Sequence, residues 1–179
     1  MQFPVLHTER LDLIEVQSIH LDDLFLLFGD EEVTRFYNLV PFQTPDDGRK
    51  FIEWYHTRFN QGLSIRWGIA LKGKQNIIGT VGFNNYTKNH RANIGYDLQQ
   101  QYWNNGYITE ALKAVIDFGF TKLHINRVEA EVMQGNYASE KVLTKLNFTK
   151  EGILRQWMFW NNQYYDISMY SLLRSEYLN

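Results

Sequence analysis

The chain contains no cysteine and only three prolines among its 179 residues. Without a thiol it can form neither a cysteine nucleophile, nor a disulfide, nor a thiolate metal site. The five histidines are scattered, and none follows another at helical spacing, so no metal site is expected. No stretch approaches the roughly eighteen uninterrupted apolar residues of a membrane span, and the first residues lack a signal-peptide pattern. We therefore expect a cytoplasmic protein that is not bound to a membrane.

Charge and composition exclude a further class of partner. The 18 basic residues are balanced by 20 acidic ones, giving a formal charge of −2. A protein held to nucleic acid by many phosphate contacts carries an excess of Lys and Arg, so no direct nucleic-acid binding is expected. No linker or repeat divides the chain, which predicts a single domain over residues 1–179. Neither observation bears on the oligomeric state.

Hydrophobic periodicity predicts an α/β fold with a mixed sheet. Hairpin-like strands come first, and a strand, helix and strand at 92–132 are typical of a parallel β-α-β crossover. The predicted strands are at 11–16, 65–71, 78–83, 92–98, 128–132, 153–160 and 164–172. The predicted helices are at 21–28, 45–55, 108–119 and 138–146.

The loop after the strand at 92–98 carries the first chemical signal. It enters a helix at Gly106, where several backbone N–H groups are unpaired and the helix dipole is positive. Such a terminus binds phosphate. The loop matches neither the nucleoside-triphosphate nor the dinucleotide glycine pattern. By itself it is equally typical of a plain strand-to-helix turn.

A second segment indicates the family. Residues 136–152 read N-x-x-S-x-x-V-L-x-K-L-x-F-x-x-E-G, and residues 102–111 read Y-W-x-x-G-Y-x-T-E-A. Together with Thr8–Leu11 and Asp166–Tyr170, these motifs resemble the GNAT superfamily of acetyl-CoA-dependent N-acetyltransferases, in its ribosomal-protein Nα-acetyltransferase (RimJ/RimL-like) branch. The resemblance extends from Thr8 to Leu172. It implies a mostly antiparallel central sheet, splayed where acetyl-CoA binds and flanked by about four helices.

The resemblance also implies roles for individual residues. Ser139 resembles the general acid that protonates the departing thiolate, since Leu143 stands where many relatives carry a tyrosine. Asn136 resembles the asparagine that contacts the pantetheine arm, although both residues are also typical helix caps. The thioester would lie near the backbone of Tyr96, Asp97 and Leu98. The pyrophosphate would rest on the amides of Asn104, Asn105, Gly106, Tyr107, Ile108 and Thr109.

No general base stands where the resemblance leads us to expect one. Asn93 replaces the strand glutamate of this branch, and the segment 155–158 has no carboxylate. The acids nearest the motifs are Asp97, Glu110, Glu151 and Asp166, each more typical of a structural role. An α-amine, with a pKa of about 7.7–8.0, is roughly a tenth neutral at pH 7, whereas a lysine amine at about 10.4 is almost entirely protonated. The sequence therefore favours an α-amine acceptor, with water removing the proton.

Three functions remain open at this point. The first is acetylation of a protein or peptide N-terminus by acetyl-CoA as cosubstrate. The second keeps the chemistry but acetylates a small amine such as a polyamine, an amino acid or a drug. The third is a CoA-binding module without turnover. The aromatic segments 36–38, 54–55 and 157–160 could line an acceptor groove, and Glu31, Glu32, Asp46 and Asp47 could make it acidic.

Overall fold

The computed structural model describes residues 2–177 of the chain. Eight strands form one sheet in the order β1-β2-β3-β4-β5-β6-β8-β7. The strands are β1 (Leu6–His7), β2 (Leu11–Glu15), β3 (Ile65–Leu71), β4 (Ile77–Thr87), β5 (Arg91–Leu98), β6 (Arg127–Met133), β7 (Thr149–Trp160) and β8 (Gln163–Leu173). The helices are α1 (Leu21–Phe28), α2 (Glu31–Thr34), α3 (Pro45–Asn60), α4 (Tyr107–Thr121), α5 (Tyr137–Lys145) and α6 (Arg174–Tyr177).

This architecture confirms the predicted mixed, mostly antiparallel sheet. Only β5 and β6 are parallel, and α4 makes the crossover between them. The four helices of eight or more residues correspond to the four predicted ones, and α2 and α6 are additional single turns. Periodicity missed these short elements because four residues are too few to display a repeat. No helix within residues 2–177 is both long and apolar enough to cross a membrane.

Two hydrophobic clusters cover opposite faces of the sheet. The larger one packs α4 and α5 against the inner residues of the central strands, with Trp67, Phe83 and Phe120 fully buried. The smaller one lies beneath α1 and α3 and contains Leu24, Phe28 and Tyr55. Helix α3 begins as its sequence predicts, with a capping box formed by the Thr44 and Asp47 side chains and Pro45 at the first position.

The parallel strands β5 and β6 separate along most of their length. They are paired only from Arg91 to Asn93 on β5, opposite residues 127–129 on β6. Beyond Asn93 each strand continues, β5 to Leu98 and β6 to Met133, without pairing to the other. The sheet is therefore splayed at its centre. The loop that follows β5 and the helix α5 that follows β6 both lie at the open end.

Two bulges redirect side chains beside this splay. In β4 the register shifts between Phe83 and Asn85, which leaves Asn84 as the extra residue. In β7 the register shifts between Leu154 and Met158, and the bulge is held by the Asp166 carboxylate, which accepts from the Gln156 N–H at 2.7 Å. A bulge bends its strand and re-aims the side chains it carries.

Candidate active site

The predicted phosphate loop has the geometry of an open helix N-terminus. Gly106 is left-handed (φ 78°, ψ 4°) and caps α4, and Asn104 is also left-handed at φ 61°. The N–H groups of the first α4 turn, residues 107–109, have no intrahelical acceptor. Residues 103–106 are exposed. Trp103 ties the loop to the end of β5, because its indole N–H donates to the Leu98 carbonyl oxygen at 2.7 Å.

The N-terminal motif of the chain holds this loop in place. The Glu110 carboxylate accepts from the Thr8 hydroxyl (2.6 Å), the Arg10 N–H (2.8 Å) and Arg10 Nε (2.6 Å). Arg10 also donates to the Asn105 carbonyl oxygen at 3.0 Å. Burial opposes ionisation, but these hydrogen bonds prevail and lower the pKa of Glu110. Glu110 therefore anchors α4 and is not free to accept a proton.

Ser139 and Tyr96 meet across the splay. The Ser139 hydroxyl lies 2.5 Å from the Tyr96 hydroxyl. Burial, opposed by this hydrogen bond, raises the pKa of Tyr96 to about 12, so the phenol is neutral near pH 7. The cap of α5 is Asn136, whose side-chain oxygen accepts from the Ser139 N–H at 3.1 Å. Asn136 thus has the capping contact that its sequence position allowed, whereas the Ser139 side chain is turned away from capping.

Asp97 faces the opposite side of the sheet and is buried. Its carboxylate accepts from Arg66 Nη2 and from the Thr80 hydroxyl, the latter at 3.2 Å. Burial raises the pKa of Asp97, and the Arg66 guanidinium opposes that rise. Arg66 and Asp97 both keep less than a tenth of their surface exposed. With an ion pair and a hydroxyl already bound, Asp97 is a structural acceptor.

The two remaining acids considered from the sequence also have structural partners. Glu151 makes two contacts with Arg127, at 2.6 and 2.5 Å, and accepts from the Ser171 hydroxyl at 2.7 Å. These contacts lower the pKa of Glu151 to about 2. Asp166 holds the β7 bulge. None of the four acids nearest the motifs is therefore without a structural contact.

The aromatic segments divide between core and surface. Tyr55 is buried, and Tyr37 stacks on Phe28 with ring centroids 6.2 Å apart. Trp54 and Trp157 keep about half of their surface exposed (48% and 57%). The acidic residues in the first turn of α3 do not form a free acidic lining. Asp47 belongs to the capping box, and Asp46 pairs with Arg49 and Lys50 on the same helix.

Sequence reasoning missed a row of polar side chains on the Asp97 face. It runs from Arg66 through Asn84 and Asn93 to Glu131, with hydrogen bonds of 3.0, 2.9 and 3.2 Å. One signal was available: Arg66 is a lone charge in the strand I-R-W-G-I-A-L, whose first six residues are all buried. A buried charge requires a partner.

Within residues 2–177, no cluster of His, Cys, Asp or Glu could hold a metal ion.

Comparison with known proteins agrees with this geometry. The sequence matches the acetyltransferase (GNAT) domain over residues 10–149. It is 39% identical over 173 residues to the uncharacterized N-acetyltransferase p20 of Bacillus licheniformis, covering 96% of this chain and 97% of that one. It is 31% identical over 108 residues to the [ribosomal protein uS5]-alanine N-acetyltransferase of Escherichia coli, covering 59% and 56% of the two chains.

A solved structure shares the fold at low sequence identity. The ribosomal L7/L12 α-N-protein acetyltransferase RimL, in complex with coenzyme A, superposes with a TM-score of 0.84 at 20% identity, over 97% of this chain and 99% of that one. The domain match and the full-length relative extend well beyond the motifs themselves. The chain belongs to the GNAT family and is an acetyl-CoA-dependent N-acetyltransferase.

Proposed function

We propose that the chain transfers acetyl from acetyl-CoA to the N-terminal α-amine of a protein, and that the acceptor is of the ribosomal-protein type. The observation that carries the proposal is the splay of β5 from β6 with the open N-terminus of α4 at its end. The acceptor class is supported by the uS5-alanine and L7/L12 enzymes. Such an acceptor places the reaction in the cytoplasm, and residues 1–179 act as one N-acetyltransferase domain.

The cosubstrate is held mainly by backbone groups in this proposal. The amides of Asn104, Asn105, Gly106, Tyr107, Ile108 and Thr109 bind the pyrophosphate, which suits the positive end of α4. Asn136 contacts the pantetheine arm with its amide group, whose oxygen already caps α5. The backbone of Tyr96, Asp97 and Leu98 orients the thioester in the splay. Because these groups would hold the thioester in one orientation, the amine attacks an oriented carbonyl carbon.

Ser139 is the residue that we propose as general acid. When the amine nitrogen bonds to the acetyl carbon, the C–S bond breaks and the CoA sulfur leaves as a thiolate. The Ser139 hydroxyl is hydrogen-bonded to a neutral phenol and is not used in capping. It is therefore available to donate to the sulfur, whose protonated form has an ordinary pKa of about 8.5.

The α-amine proposal is tested by comparing acceptors. The protein is incubated with acetyl-CoA and one of three acceptors, each in a separate reaction. The first acceptor is a lysine-free peptide with a free N-terminal Ser or Ala. The second is a peptide of the same length with a blocked N-terminus and one internal lysine, and the third is a polyamine. We expect thiol release and a 1:1 acetylated product with the first peptide. Equal or faster turnover with the second peptide or with the polyamine would contradict the α-amine acceptor. Tight CoA binding without thiol release would instead support the non-catalytic module.

A further inference from the structure

Glu131 lies beside the splay on the face of the sheet that carries Asn93. The last paired residues of β5 and β6 are Asn93 and Glu129. Side chains alternate along a strand, so Glu131, two residues further along β6, is on the same face. Continuing the register brings it level with Gly95, next to the proposed thioester contact at Tyr96. We propose that Glu131 is the general base that removes a proton from the acceptor amine.

The hydrogen-bonded row that ends at Glu131 has a defined polarity. Arg66 donates to the Asn84 side-chain oxygen (3.0 Å), so the Asn84 nitrogen must face the Asn93 oxygen (2.9 Å). The Asn93 nitrogen then donates to Glu131 Oε1 at 3.2 Å. A guanidinium can only donate, which fixes the orientation of both amides. The last group of the row must therefore be an acceptor, and a carboxylate is the strongest one available.

A second donor holds the other oxygen of the same carboxylate. Trp157, in the β7 bulge, donates its indole N–H to Glu131 Oε2 at 3.1 Å. An indole N–H can only donate, and each carboxylate oxygen retains a second lone-pair direction. The carboxyl group is thus oriented by donors from β5 and β7 and can still accept a proton. Glu131 is exposed, so a proton that it accepts can pass to water.

The charged groups around Glu131 have partners of their own. On β5 and β6, Arg91 and Arg127 pair with Glu129, and Arg127 also pairs with Glu151 on β7. On β8, Asp166 accepts from the backbone of β7, and the Arg66–Asp97 pair lies beyond Asn84. Across the described part of the chain, Glu131 itself makes no ion pair, so its negative charge is available to attract an ammonium group. The charged groups on this face of the sheet are Arg66, Arg91, Asp97, Arg127, Glu129 and Glu151.

The proposed step deepens the proposed function and rests on it. The acceptor ammonium gives one proton to Glu131, the nitrogen bonds to the acetyl carbon, and the C–S bond breaks. The thiolate takes a proton from Ser139, and the second proton lost by the nitrogen restores the serine hydroxyl. Glu131 then releases its proton to water. An α-ammonium gives up its proton several-hundred-fold more readily than a lysine ammonium, by the difference of about 2.5 pKa units, so an exposed carboxylate suits the α-amine.

The inference is tested by the pH dependence of Glu131→Gln. The acceptor is the lysine-free peptide, and kcat/KM is measured for the parent and the variant from pH 6 to 9. At pH 7, where roughly a tenth of the α-amine is neutral, we expect the variant to be about 10-fold slower, and at pH 9, where most of the α-amine is already neutral, within about 3-fold of the parent. Acetyl-CoA affinity should be unchanged. Glu129→Gln, which removes a carboxylate from the same face of the same strand, should change the ratio little at either pH.

The possible outcomes separate this inference from the proposed function. A loss in Glu131→Gln that is the same at every pH would overturn the assignment, because a structural carboxylate would affect all pH values alike. An active parent with an equally active Glu131→Gln variant would overturn the base alone. A parent that releases no thiol with any amine would overturn both proposals. If water alone removed the proton, kcat/KM of the parent would follow the titration of the acceptor amine, and Glu131→Gln would not change that profile.

Discussion

The two faces of the sheet at the splay are filled by different kinds of group. On the face toward α4 and α5, packing is apolar, the Tyr96 and Ser139 hydroxyls are in contact, and the proposed cosubstrate site is made of backbone amides. On the opposite face, polar side chains from four strands bond to one another, from Arg66 and Asp97 to Glu131. A site built from backbone survives most substitutions. A site built from interlocking side chains fails when one member is lost.

The largest expected effect is on the side-chain face, from removing one member of the buried ion pair. Arg66→Met leaves the Asp97 carboxylate buried without its cation, which should lower the free energy of unfolding by about 3–5 kcal/mol. Chemical denaturation measures this loss. The double variant Arg66→Met/Asp97→Leu should recover part of it, because both charges are then absent.

Arg91→Met is the control. Arg91, on β5, makes an exposed ion pair, and its substitution should lower the free energy of unfolding by less than about 1 kcal/mol. If Arg66→Met lowered the free energy of unfolding no more than Arg91→Met does, the Arg66–Asp97 pair would not be what stabilises the polar face.

The next largest effect is expected at the hydroxyl pair on the other face. Ser139→Ala should reduce kcat by about 10- to 100-fold, measured where chemistry limits turnover, because the leaving thiolate loses its proton donor. The affinity for acetyl-CoA should barely change, since the cap of α5 is made by Asn136 and remains. Thr144→Ala removes an exposed hydroxyl from the same helix and is the matched control. An unaltered kcat in Ser139→Ala would limit this serine to supporting Tyr96.

The smallest effect tests whether the backbone site is as tolerant as the comparison implies. A Cβ at residue 106 would meet only Arg10 Nη2, at 3.5 Å, so space is available and the constraint is the left-handed φ of 78°. Gly106→Val should cost about 1–2 kcal/mol in that conformation and weaken CoA binding about 10-fold in a calorimetric titration. Gly106→Asn, which tolerates a left-handed backbone, should stay within about 3-fold of the parent. Equal affinity for the valine variant would remove Gly106 from the phosphate site.

Local pattern was enough to predict the longer elements and the loop that enters α4 at Gly106. The capping residues of α3, the alternation of β3 and β5, and the glycine before α4 act on their immediate neighbours, so the sequence displays them directly. The same holds for Asn136, which caps the helix it precedes. The splay was implied only by family resemblance, because strand pairing depends on partners far along the chain.

The amino-acid sequence by itself determined the fold class and the segment proposed to bind the cosubstrate, because these depend on periodicity and on backbone conformation within a few residues. It also indicated the family, through the resemblance of its motifs. Tertiary structure decided which carboxylates have structural partners, and it placed the Glu131 carboxylate beside the splay. Asn93 and Glu131 are 38 positions apart, and Arg66 and Asp97 are 31 apart. Hydrogen bonds over such separations are set by strand order and by two bulges, and neither leaves a local pattern in the sequence.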